Sequence, residues 1–147
     1  MTDRYLDDLT VGESWDSEPF TITEDEIIAF ATEFDPQPMH VDKAAAEAGR
    51  FGGLIASGWQ TCGIAMRLMA DAALAGSESF ASPGIDYIKW PHPVRAGDAL
   101  RARAEVVEVR RARTKPMGIL RWRWQLFNQD DVEVLDLQAT SLFALKD

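Results

Sequence analysis

The sequence predicts an α+β fold in which an antiparallel sheet curls around one central, buried helix. Two observations carry this. The apolar spacing changes once along the 147 residues, from helical in the first half to period two from about Ile85 onward. The segment from Ser57 to about Leu74 is apolar on most of its sides, with Trp59, Ile64, Met66, Leu68, Met69 and Leu74 not confined to one stripe. A helix of that kind is covered by protein, and the strands that follow it supply the cover.

The elements follow in order. Ser14 to Phe20 reads as extended. Thr23-Glu24-Asp25-Glu26 is a capping box, in which the threonine hydroxyl and the glutamate carboxylate satisfy free backbone donors at a helix start. The helix it opens runs through Phe30, and Asp35-Pro36-Gln37-Pro38 then stops the chain, since proline disfavours helical geometry before it and lacks the donor to continue. The result is a rigid loop ending at His40. Lys43 to Ala48 forms a short helical piece ended at Gly49, and Ser57-Gly58-Trp59-Gln60 offers a second capping box for the apolar helix. Leu100, Ala102, Ala104 and Val106 then alternate with charged residues, as do Leu120, Trp122, Trp124 and Leu126. Adjacent Val106 and Val107 imply a bulge, and Asn128 to Asp131 a turn into a last strand ending near Leu145.

Composition narrows the function. The length fits a single domain over 1–147, and no repeat or linker divides it. A net charge of −9 argues against nucleic acid as a partner. The charge is uneven, because residues 89–123 hold ten Lys or Arg against three acids, so a local cationic region suits either solvent or a phosphate-bearing ligand. Leu54 to Leu74 is broken by Gln60, Arg67 and Asp71, which excludes a membrane span. One cysteine, Cys62, allows no internal disulfide, and the start MTDRYLDDL has neither region of a signal peptide, so a cytoplasmic location is expected. Cys62 itself reads as a core residue. With two histidines and one cysteine at no zinc-ligand spacing, no metal is expected, and His92, between two prolines, reads as a strand-end or rim residue.

The chemistry concentrates in Phe34-Asp35-Pro36-Gln37-Pro38-Met39-His40-Val41-Asp42. A carboxylate and an imidazole five residues apart on a proline-held loop can hold a water and move its protons. Spacing alone equally fits an aspartate that caps a turn beside a satisfied loop histidine.

Asp35-x-Gln37-Pro38-x-His40 with Asp42, then Gly53-Leu54-Ile55-Ala56-Ser57-Gly58 before the apolar helix, resembles the hydratase motif of the MaoC-like (R)-specific enoyl-CoA hydratases. Ser82-Pro83-Gly84-Ile85-Asp86, Trp90 and Pro93-Val94-Arg95-x-Gly97-Asp98-x-Leu100 are similar to that family's second recurring block, so the resemblance runs from about Tyr5 to Leu145. It implies a hot-dog fold, a homodimer, an acyl-CoA thioester as substrate and no cofactor. Asp35 and His40 match the family's catalytic pair. The backbone N–H groups at the positive end of the helix, of Gly58 and also of Trp59, would serve the thioester carbonyl. Gln37, Pro38, Ser57, Trp59 and Gly84 are the matching substrate-binding positions. Two departures stand out: Gln37 replaces the usual Asn, and Phe34 the usual Gly before the aspartate.

Two alternatives stay open at this point. One is a hot-dog thioesterase, although the first carboxylate of the apolar helix is Asp71, near its far end. The other is a non-catalytic acyl-CoA or small-molecule binding module. The sequence does not choose between Asp35 and His40 as the formal base, nor does it name the basic residues that would hold CoA phosphates.

Overall fold

The computed structural model describes residues 4–146, so Met1–Asp3 and Asp147 of the expected domain lie outside the described residues. The extended segment becomes two short strands, β1 (Ser14–Asp16) and β2 (Phe20–Thr21), separately paired with β4 (Ala99–Arg111). With β3 (Ser79–Lys89), β5 (Met117–Phe127) and β6 (Glu133–Ala144) they form an antiparallel sheet of order β1-β4-β5-β6-β3. The alternating residues of β4 and β5 do what their spacing predicts. Leu100, Ala102, Ala104, Val106, Leu120, Trp122, Trp124 and Leu126 are all buried, the larger of them each contributing roughly 1.5–3 kcal/mol by leaving water. Trp122 stands edge-on to both Trp15 and Trp124, with ring centroids 5.8 and 5.2 Å away, and its indole N–H donates to the Ser141 hydroxyl at 3.2 Å.

Local signals place most of the remaining elements. The register of β4 against β5 shifts between Val106 and Glu108, where adjacent valines break the alternation. In the β5–β6 turn the Asn128 side-chain oxygen accepts from the N–H groups of Asp130 (2.9 Å) and Val132 (3.1 Å). Thr23 and Glu26 form the expected reciprocal cap on α1 (Glu24–Phe34), which extends a turn past Phe30 before proline stops it. Pro38 occupies the first position of α2 (Pro38–Val41), so the loop expected before His40 contains one helical turn. Asp42 caps α3 (Lys43–Ala48), which ends at Gly49.

Three expectations need correction. The apolar helix, α4 (Gly58–Met69), continues through a π-helical turn at Ala70–Leu74, but it is not hidden on every side. Thr61, Ala65, Leu68 and Met69 are buried, whereas Trp59 is 60% exposed and Met66 42%, because the sheet of one chain covers only one flank of the helix. Ser57 caps the helix through Trp59 N–H at 3.3 Å, yet Gln60 does not complete a box. Its amide instead donates to the Glu26 carbonyl of α1 at 3.0 Å, tying the two helices together. Finally, β3 begins at Ser79, well before Ile85. Pro83 cannot donate to a ladder, and the strand accommodates it at the sheet edge through register shifts around Ala81 and Gly84.

This architecture gathers three segments at one end of the sheet. The chain before α4 is clamped between α2 and the segment after β3, since Ile55 N–H donates to Met39 O at 3.1 Å and Ala56 N–H to Val94 O at 2.8 Å.

Candidate active site

Asp35 closes α1 as its C-terminal cap, its own N–H still donating to Ala31 O at 2.8 Å. Pro36 then turns the chain, and Gln37 folds back on the aspartate, its amide N–H₂ donating to Asp35 Oδ1 at 2.7 Å. The Ser57 hydroxyl donates to Oδ2, also at 2.7 Å. These two bonds, the Gln37 bond foremost, hold the Asp35 carboxyl below its ordinary value of 3.8 against the opposing effect of partial burial, and a proton on the neighbouring His40 ring would act in the same direction as the bonds.

His40 is buried, and its Nδ1 lies 2.6 Å from the Ile55 carbonyl. A carbonyl only accepts, so Nδ1 carries a proton and the neutral ring has a bare Nε2. That Nε2 stands 3.4 Å from Asp35 Oδ2. Two acceptor atoms therefore face each other slightly beyond direct hydrogen-bond distance, an arrangement that suits a donor lying against both. A water molecule, with two hydrogens, is such a donor.

Both groups line a cleft of about 410 Å³, together with Gln37, Gly58, Trp59 and Phe51. Its far wall is the segment from Trp90 to Val94. At the start of α4 the Trp59 N–H, one of the two donors expected for a carbonyl, is instead turned to the Ser57 hydroxyl that caps the helix, while the Gly58 N–H has no partner among the described residues. The free donor thus points from the positive end of a 12-residue helix, next to the acid–base pair.

Asp35, Gln37, His40, Gly58 and Trp59 are therefore brought together as expected. Ser57 is fully buried behind them, touching Asp35 without lining the cleft. Pro38 lines a separate hollow on the other side of α2. Gly84 lies apart, on the outer strand β3 opposite Thr140. The side chains that sequence reasoning underused are Trp90, Phe51 and His92. His92 keeps its rim position, exposed, with Nδ1 3.1 Å from the Glu133 carbonyl, but it also faces the cleft. Nothing local marks Trp90, whose indole N–H donates to the Gly58 carbonyl 32 positions earlier at 3.1 Å.

A larger groove of about 730 Å³ lies at the β4–β5 hairpin, lined by Arg110, Arg111 and Arg113, and contains no acid–base pair. Most of the local positive charge is answered: Arg110 by Glu108, Arg111 by Asp7, Arg103 by Asp16, Arg101 by Asp131, and Arg121 by Asp86 and Glu108. Cys62 is half-buried, and burial raises its thiol. Among the described residues no group of three or more His, Cys, Asp or Glu is placed to hold a metal ion, and no helix is long and apolar enough to cross a membrane.

Residues 8–121 match the MaoC like domain. The chain belongs to that family. It is similar over nearly its whole length to the MaoC-like dehydratase of Rhodospirillum rubrum, with a TM-score of 0.91, 34% identity and 97% and 98% of the two chains covered. Its likeness to the (R)-hydratase from A. caviae gives a TM-score of 0.75 at 26% identity, covering 93% and 97% of the chains. An uncharacterised Bacillus subtilis protein, YdeM, is 35% identical over 93% of this chain and 96% of its own. The 3-hydroxyacyl-thioester dehydratase Z of Mycobacterium tuberculosis is 35% identical over 91 residues, 60% of each chain. The sheet wrapped on a helix is the hot-dog fold, and this MaoC-like chain has hydratases and dehydratases among its relatives.

Proposed function

We propose that this MaoC-like protein hydrates a trans-2-enoyl thioester of the acyl-CoA type, and catalyses the reverse dehydration, without a cofactor. One observation carries the reading: Asp35 Oδ2 and His40 Nε2 oppose each other at 3.4 Å in a cleft also lined by Gly58, whose N–H has no partner among the described residues. Water held between the two acceptors gives up a proton to one of them as its oxygen adds to C3. A proton is then delivered to C2, and the negative charge that develops on the thioester oxygen in between is met by the Gly58 N–H. Gln37 and Ser57 keep Asp35 ionised and fixed in direction, and Ile55 O fixes the tautomer of His40. Hydrolysis of the thioester has less support. Asp71, the first carboxylate after the start of α4, is exposed, paired with Arg67 at 3.0 Å and absent from the cleft.

The working form is a homodimer joined along β3, in a reducing cytoplasm that suits the lone Cys62 thiol. Strand β3 pairs with β6 on one side, and exposes Phe80 and Ile85.

The test is purified protein mixed with crotonyl-CoA, followed by both enoyl absorbance and thiol release. Loss of the double bond without free thiol is the expected result. Free thiol would replace the reading with thioester hydrolysis, and binding with neither change would reduce the protein to a binding module.

A further inference from the structure

Trp90 stands where α4 begins, in two kinds of contact with one residue. Its indole N–H donates to the Gly58 carbonyl at 3.1 Å. Its ring covers the α-carbon of Gly58 so closely that a β-carbon there would lie 2.5 Å from Cε2 and 2.8 Å from Cζ2. The absence of a side chain at 58 thus lets the indole sit directly against the backbone of α4. Trp59 stands edge-on to the indole, with centroids 5.8 Å apart, and both residues line the cleft.

The peptide that Trp90 holds also leads to the acid. The carbonyl of Gly58 and the N–H of Trp59 belong to one rigid plane. That N–H donates to Ser57 Oγ at 3.3 Å, and Ser57 donates to Asp35 Oδ2 at 2.7 Å, the oxygen that faces His40. The row therefore runs without a gap from Trp90 through one peptide and one hydroxyl to the carboxylate. The Cys62 sulfur also lies within reach of the Trp90 side chain, but the row itself is polarised in one direction, so its bonds reinforce one another. Rotation of the Gly58–Trp59 peptide would disturb Asp35 through Ser57 and move the neighbouring Gly58 N–H as well.

We propose that Trp90 is a positioning residue: by gripping the first peptide of α4 it fixes, together, the direction of the Gly58 donor and of the Asp35 carboxylate. This rests on the hydration reading above for its catalytic consequence, and on geometry alone for its structural one.

Trp90→Phe separates the two contacts, since it keeps a ring over Gly58 and removes the N–H. In that variant hydration of crotonyl-CoA should fall about tenfold or more in kcat with KM nearly unchanged, as expected when a group is misdirected and binding is preserved. The Trp59 amide and Asp35 carboxyl resonances should shift together. A Trp90→Phe protein with wild-type kcat and unmoved Trp59 and Asp35 resonances would overturn the proposal. If the wild-type protein hydrates no enoyl thioester, the hydration reading fails by itself, and the resonances still decide whether Trp90 sets Asp35. A second pair of variants probes the ring. Gly58→Ala should lower the unfolding midpoint, and Gly58→Ala combined with Trp90→Ala should recover part of that loss. Simple additivity of the two changes would mean that the ring and Gly58 are uncoupled, and would also overturn the proposal.

Discussion

The Ser57 hydroxyl donates to Asp35 Oδ2 at 2.7 Å across 22 positions of sequence, so one side chain both caps α4 and orients the acid at the end of α1. Ser57→Ala removes that donor and the cap together. The Asp35 carboxyl should then titrate higher, because the second of the two bonds that favour its ionised form is lost. A carboxyl ¹³C titration of wild type and variant reads this directly, and an unchanged midpoint would mean that Gln37 alone sets the group. The lost cap should cost about 1 kcal/mol of stability.

Asp35→Asn and His40→Gln should each lower turnover by roughly a hundredfold or more, as is usual for groups that move protons, with the fold intact. Steady-state hydration of crotonyl-CoA beside a circular dichroism spectrum of each variant checks both parts. Near-normal turnover in either folded protein would remove the pair from the mechanism.

The lowered Asp35 carboxyl also gives stability a pH dependence of known sign. Its folded value lies below the ordinary 3.8, so ionisation stabilises the fold above that pH, and this contribution fades as pH falls through the lower folded value. Relative to Asp35→Asn, the wild-type urea midpoint should therefore carry a constant increment above about pH 5 that shrinks as the pH drops below 3.8 and through the lower folded value. A difference that does not change between these limits would show that Asp35 is not held below its ordinary value.

Gly58→Val is a natural test of the thioester donor, yet here it tests packing first. A β-carbon at 58 meets the Trp90 ring at 2.5 Å, so valine should destabilise the protein by about 1–3 kcal/mol through overpacking, whatever Gly58 does in catalysis. Thermal unfolding would detect that cost, and a variant as stable as wild type would show that Trp90 moves aside. Turnover per folded molecule, measured on the same sample, reports the catalytic role.

Association along β3 predicts a light-scattering mass about twice the chain's 16.4 kDa at micromolar concentration. Ile85→Lys places a charge on an exposed apolar edge position, 48% accessible in the single chain, and should return the mass to that of the monomer. A wild-type mass near 16.4 kDa would rule out the dimer.

What could be read in advance divides by distance along the chain. The nearness of Asp35 and His40 was legible because both lie on one proline-bounded loop, although it took the family resemblance to single them out from a capped turn, and the Thr23 and Ser57 caps were legible because a cap is a contact within a turn. The strands were legible because every second residue of β4 and β5 faces the core. Trp90 on Gly58 and Gln60 on Glu26 span 32 and 34 positions, and no periodicity records such meetings. The exposure of Trp59 and Met66 escaped for another reason: an apolar side chain looks the same in sequence whether one chain buries it or leaves it open.

The irregular part of β3 has a bearing on solubility. An 11-residue edge strand would ordinarily be a template for endless strand addition, one chain after another. Pro83 and the register shifts between Ser79 and Ala81, Ala81 and Gly84, and Ile85 and Tyr87 spoil the template over most of its length, leaving an evenly paired run of three only at Tyr87–Lys89. Strand addition along this edge is thereby confined to its regular end, which is enough for one partner chain to close on but a poor template for open-ended fibril growth.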